Sequence, residues 1–115
     1  MKFALLYLKG RRMKYKILRT EKAEEQLRDA VFYIEKDSDS INIALEYLEK
    51  IEKTITRLDE LPESGSIPRY SILKKQGYRV AIIEKHLIFY KINEEEKTVI
   101  IYAFIDGRME YRNLL

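Results

Sequence analysis

The chain contains no cysteine. Thiol catalysis, disulfide bridges and cysteine-held metals are excluded, and a reducing, cytoplasmic setting fits. One histidine, His86, is too few for a histidine metal cluster. A carboxylate-only metal site would need converging acids, and no EF-hand or comparable spacing occurs, so no metal and no cofactor is expected. No phosphate-cradling glycine loop, dinucleotide turn, HExxH helix or nucleophile elbow is present. Glycine (4) and proline (2) are scarce, and no linker, repeat or low-complexity tract appears. The apolar run Phe3 to Leu8 is too short to span a bilayer, and no small-x-small cleavage site follows it. No membrane partner is expected.

What is present is one domain's worth of chain. At 115 residues, 46% apolar and 36% charged, it can bury a modest single core. The net charge of +3 conceals an uneven distribution. Residues 1–20 carry seven bases and no acids, residues 21–65 sum to −7, and residues 66–115 sum to +3. Starting at Met13 would leave −1, so the basic balance is not read as nucleic-acid binding. The contrast between an acidic middle and a basic final third is the safer signal. Residues 1–12 read as an N-terminal extension, expected to be disordered, with a fresh start at Met13. The alternative is that they pack as an extra strand or turn. Residues 13–115 read as a single domain.

Met13 to Leu18 reads as a first strand. Thr20 can cap a helix whose Ala23, Leu27, Ala30, Val31 and Ile34 fall on one face. Asp37 to Ser40 is a polar turn with several possible caps. A second helix carries the stripe Ile41, Ala44, Leu45, Leu48, Ile51, Ile55 and Leu58, and Pro62 stops it. The short connection forces an antiparallel hairpin. These stripes are read as core packing in preference to a cofactor site. Residues 63–76 read as a loop. Three strands follow, at Tyr78 to Glu84, Leu87 to Ile92 and Thr98 to Ile105. Their connections allow only antiparallel neighbours. The third strand is apolar on both faces and is expected at the sheet's centre. The fold class is α+β in the order β-α-α-β-β-β, an antiparallel sheet with the helical hairpin on one face.

The chemistry-bearing residues gather near the strand ends. His86 is expected at a connecting turn, partly exposed, either as a general base or as a turn residue without a role. Arg79 interrupts an apolar strand, which is costly unless it is paired or reaches solvent. It serves a ligand, a target or a structural pairing. Arg108, Tyr111 and Arg112 end the chain, where two arginines suit phosphate or acidic surfaces, or form a solvated tail. Tyr78, Tyr90 and Tyr102 are read as sheet packing before base-stacking platforms.

Over residues 13–115 these pieces resemble the RelE/ParE toxins of bacterial type II toxin–antitoxin modules. The resemblance rests on the strand Tyr15 to Leu18, Ala-Glu-x-x-Leu from Ala23, and Tyr33-Ile34. It continues through Leu-Pro-Glu-x-Gly at Leu61 to Gly65, Gly77 to Val80, Leu87 to Ile92 and Gly107 to Tyr111. It implies growth arrest, and neutralisation by a cognate antitoxin protein. RelE-like members cleave mRNA on the ribosome, whereas ParE-like members inhibit DNA gyrase. The long hairpin, Ala81 and Leu87 where the nucleases carry Lys and Arg, and the ending Ile105 to Glu110 favour the ParE side. One departure is Asp106, where many relatives carry His. Gyrase is thus the expected target; ribosomal mRNA cleavage, or a non-toxic remnant that only binds antitoxin, are the alternatives. As a nuclease the chain would use Arg79, His86 and Tyr111. As a gyrase inhibitor it would touch its target through Arg108, Tyr111 and Arg112. Leu27, Val31, Leu48 and Ile55 are the expected antitoxin contacts.

Overall fold

The computed structural model of the chain describes residues 14–108. Strand β1 (Lys16–Arg19) leads into Thr20, whose Oγ1 accepts from Ala23 N at 3.1 Å. That bond satisfies one of the amides a helix leaves open at its start, so α1 (Glu21–Ser38) begins there. Glu21 and Glu24 occupy its first turn, where the helix dipole favours negative charge. The helix stops at Asp39, in the left-handed region at φ 56, which Asp tolerates better than most residues. Ser40 then caps α2 (Ile41–Arg57) by accepting from Ile43 N at 3.2 Å.

The stretch 63–76, expected as a loop, holds part of a 3₁₀ turn (Pro62–Ser64) and a short helix, α3 (Ser71–Lys75). Strands β2 (Arg79–Ile83), β3 (His86–Asn93) and β4 (Thr98–Asp106) follow. The sheet order is β1-β4-β3-β2. The β2–β3 and β3–β4 pairs are antiparallel, as their short connections require. β1 lies parallel to β4, with Ile17 opposite Val99, so the sheet is mixed and not wholly antiparallel as expected. Connection length constrains only strands adjacent in sequence. The helical hairpin separates β1 from the others, and a crossover that long permits a parallel neighbour.

β4 lies between β1 and β3 and is buried on both faces, in keeping with its two-sided apolar sequence. On one face the hairpin covers Ala81, Ile83, Ile88, Tyr90, Val99 and Ile101 with Ala23, Leu27, Tyr47, Ile51 and Ile55. On the other face Leu73 of α3 joins Tyr78, Val80, Phe89, Ala103 and Ile105. The second layer is thin. Tyr78 and Tyr102 meet edge to face there, and Lys91 Nζ sits 4.5 Å from the Tyr78 ring centre.

One irregularity in β4 decides which residues face the hairpin. Phe89 pairs with Ala103, but the next β3 residue, Tyr90, pairs with Ile101. Tyr102 is therefore an extra residue, a β-bulge. Before it, Val99 and Ile101 point toward the helices; after it, Phe104 does. Ala103 and Ile105 point the other way. Strict alternation from Val99 would have sent Phe104 and Asp106 to the far side. The bulge brings both to the hairpin side, beside His86.

Candidate functional site

At the end of the sheet, α1 passes over the last residues of β4 and the first of β3. Helix side chains hold the β4 edge where β1 has ended. Gln26 Oε1 accepts from Phe104 N at 2.9 Å, and Thr20 Oγ1 donates to Tyr102 O at 3.4 Å. A cleft of about 480 Å³ opens there, with Tyr33, Ile34, His86, Phe104, Asp106 and Arg108 among its walls.

His86 is not the partly exposed turn residue expected. It is the first residue of β3, paired with Ile83 and with Asp106, and only 6% exposed. Its ring stacks on Phe104 with centroids 4.7 Å apart. The two-residue turn before it, Glu84-Lys85, is so tight that Glu84 adopts φ 54, and His86 falls inside the sheet. Tyr47 of α2 reaches it: the Tyr47 hydroxyl lies 2.7 Å from His86 Nδ1 and donates to Ile83 O at 3.0 Å. A phenol has one proton. With that proton on the carbonyl, His86 Nδ1 must be the donor, so the neutral ring carries its proton on Nδ1 and keeps Nε2 as its acceptor. Burial pushes the His86 pKa down, against the pull of the Asp106 carboxylate. Burial likewise pushes the Tyr47 phenol up to about 12, with smaller help from Glu84 and Asp106. The pair is neutral at pH 7. Sequence reasoning passed over Tyr47, although its place between Ala44 and Ile51 on the inward stripe was the available signal.

Asp106 and Arg108 form the polar wall. Asp106 Oδ1 accepts from Arg108 N at 2.9 Å and from Arg108 Nε at 3.0 Å, and Oδ2 accepts from Nη2 at 2.6 Å. These bonds from Arg108 hold the Asp106 carboxyl well below the usual carboxylate range. Gly107 N donates to Lys85 O at 2.7 Å, tying this turn to the one between β2 and β3.

Arg79 is elsewhere. It pairs with Tyr90, whereas His86 pairs with Ile83 four positions along β2, about 13 Å away at strand spacing. Arg79 Nη2 donates to Glu63 O at 2.8 Å and to Gly65 O at 3.0 Å. Tyr90 Oη donates to Pro62 O at 2.7 Å and accepts from Gly65 N at 3.1 Å. Together with the paired backbones of Ser66 and Val80, they clamp the 62–66 segment onto β2. A side chain at Gly65 would put its Cβ 2.4 Å from Tyr90 Oη, so the close approach needs glycine.

The structure thus brings His86 and Arg108 together and leaves Arg79 apart. Tyr111 and Arg112 lie outside the described residues, as does the 1–12 extension. Of the four residues read as antitoxin contacts, Leu27 and Ile55 are core residues at 6% and 4% exposure. Val31 and Leu48 are partly buried against that core. The exposed apolar side chains of the hairpin are Phe32, Tyr33, Ile41, Ile43 and Leu45. Among the described residues no three His, Asp or Glu side chains converge as a metal site requires. No described helix is long and apolar enough to cross a membrane.

Comparison with known proteins agrees with this architecture. A chain of the Mycobacterium tuberculosis RelBE2 toxin–antitoxin complex superposes with TM-score 0.56 at 19% identity, covering 82% of this chain and 92% of that one. A chain of the chromosomal ParDE toxin–antitoxin system from P. aeruginosa gives TM-score 0.65 at 16% identity, covering 83% and 98%. At such identities the likeness is one of fold. Among curated proteins, no sequence matches the chain. The family model of the ParE toxin of the type II toxin–antitoxin system parDE matches residues 17–111. Over that span, in sequence as in fold, the chain belongs to the ParE toxin family.

Proposed function

We propose that this type II toxin arrests growth by binding DNA gyrase in the cytoplasm, without chemistry of its own. The observation that carries the reading is the dispersal of the candidate catalytic groups. A general acid–base site must hold its groups within hydrogen-bond reach of one substrate bond. Arg79 instead sits four β2 positions from Ile83, the partner of His86, about 13 Å along the strand, and its Nη2 donates to the carbonyls of Glu63 and Gly65. Charge agrees with a protein target. The described residues hold 17 Lys and Arg against 18 Asp and Glu, a net of −1, which does not favour a nucleic acid. Target contacts are assigned to Arg108 and, on sequence alone, to Tyr111 and Arg112.

A cognate antitoxin is the second partner, as the toxin–antitoxin complexes of the structural neighbours suggest. We place its helix on the outer face of the hairpin. There Ile41 and Leu45 are exposed and Val31 and Leu48 are half-buried, while Leu27 and Ile55 are buried in the core between hairpin and sheet and support this face without reaching the partner.

One observation favours ribosomal mRNA cleavage as a second reading. His86 is neutral with Nε2 as acceptor, and the cleft it lines also holds Arg108. The deciding experiment is a supercoiling assay with purified gyrase and purified toxin, alongside a ribosome-bound mRNA cleavage assay. Inhibition of supercoiling, retained by His86→Gln and Arg79→Ala proteins that remain folded, is the expected result. Cleavage lost by about 10²–10⁴-fold in His86→Gln would transfer the function to the nuclease reading. A chain inert in both assays would be an antitoxin-binding remnant.

A further inference from the structure

We infer that Asp106 is a positioning residue, which fixes the Arg108 guanidinium at the mouth of the cleft so that its outer edge is ready for a carboxylate on the protein target. The inference rests on the reading of Arg108 as a target contact. Asp106 takes the inner edge of the guanidinium, Nε and Nη2, at 3.0 and 2.6 Å. The Nη1 amine and the second Nη2 proton remain outside that pairing, a fork that matches a second carboxylate. Asp106 is itself well placed. The bulge at Tyr102 turns it to the hairpin side, and the Gly107 N–H to Lys85 carbonyl bond at 2.7 Å fixes the turn. A Cβ at Gly107 would come within 3.1 Å of Lys85 O and 3.2 Å of Leu87 Cγ, so this turn is closely packed as well.

The Arg108 side chain is 69% exposed against 22% for Asp106, so solvent screening limits what the pair adds to folding. What the pair does is hold a long, rotamer-rich side chain in one conformation before the target arrives. Preorganisation of one such side chain is worth about 2- to 10-fold in affinity. The apolar walls beside Arg108, from Ile34 and Phe104, suit a protein side chain better than a sugar–phosphate backbone.

The test uses the full chain expressed from a titratable promoter, with protein levels matched by immunoblot. Growth arrest is the readout, because it does not depend on which target is hit. Asp106→Asn keeps an acceptor for Arg108 N and removes the charge, so the turn survives. The expected result is that Asp106→Asn needs about 2- to 10-fold more toxin for arrest, and that Asp106→Asn added to Arg108→Ala costs nothing further. In the free protein, the ¹⁵N-labelled Arg108 Nε–H signal should be protected from exchange in the native chain and lose protection in Asp106→Asn. Unchanged or increased potency of Asp106→Asn would overturn the inference; increased potency would mean that Asp106 masks Arg108. An equal loss in the Arg108→Ala background, or full toxicity of Arg108→Ala alone, would overturn it too. Failure of the toxin to inhibit purified gyrase would overturn the gyrase reading alone, since growth arrest and the Nε–H signal are measured without reference to gyrase.

Discussion

Tyr47→Phe removes a single hydroxyl and leaves the ring in place. In the native fold that hydroxyl donates to Ile83 O at 3.0 Å and meets His86 Nδ1 at 2.7 Å. Tyr47 is 8% exposed and His86 6%, so water does not readily take the vacated position. A neutral hydrogen bond lost to solvent costs about 0.5–1.5 kcal/mol, whereas a buried donor left unsatisfied costs about 1–3 kcal/mol. The Nδ1–H of His86 is the orphan, so the larger range applies. For a domain of this size about 1–3 kcal/mol corresponds to about 4–12 °C in Tm. The assay is urea unfolding followed by far-UV circular dichroism, reading a fall in midpoint at constant m. A second readout is the tautomer itself: ¹⁵N shifts of the imidazole should report an Nδ1-protonated ring in the native protein. Stability within about 0.5 kcal/mol of wild type, the level of an ordinary surface change, would refute the reasoning. So would an Nε2-protonated ring.

Two further predictions concern pH and the hairpin. The lowered pKa of His86 makes stability depend on pH in one direction. Above about pH 6.5 the ring is neutral in both states and contributes nothing; below that, the unfolded chain binds the proton first and stability falls until the native pKa is passed. Urea midpoints across pH 5–8 should show this decline in the native chain and a flatter curve in His86→Gln. On the hairpin, Ile55→Ala should cost about 2–5 kcal/mol by leaving a core cavity. Leu45→Ala, at a position 51% exposed, should change stability by no more than about 0.5 kcal/mol and still weaken capture of the antitoxin in a pull-down.

The elements were legible where local rules decide them. Thr20 and Ser40 cap as their side chains dictate, and the two helices follow the period of their apolar residues. β4 announced its central place by being apolar on both faces. Two failures share one cause. The parallel β1–β4 pairing joins residues about eighty positions apart, and the buried His86 is completed by Tyr47 at |i−j| = 39. Neither leaves a trace in its own neighbourhood. The helical stripe misled at its edges, since Ile41 and Leu45 fit the period but point outward, while Tyr47, absent from the stripe read from sequence, points inward. The bulge at Tyr102 was invisible because both neighbours of that residue are apolar. Yet it is what turns Asp106 toward His86. Arg79 stands out in an apolar strand, and its Nη2 donates to carbonyl oxygens of Glu63 and Gly65 in the 62–66 segment.

The central claim is that this toxin stops growth at gyrase, and the most direct test is a pulse-label in a bacterial host. The full chain is induced without antitoxin, and thymidine and methionine incorporation are followed through the first minutes. The account predicts an early fall in thymidine incorporation while methionine incorporation continues. An early fall in methionine incorporation, with DNA synthesis continuing, would contradict it and move the target to the ribosome.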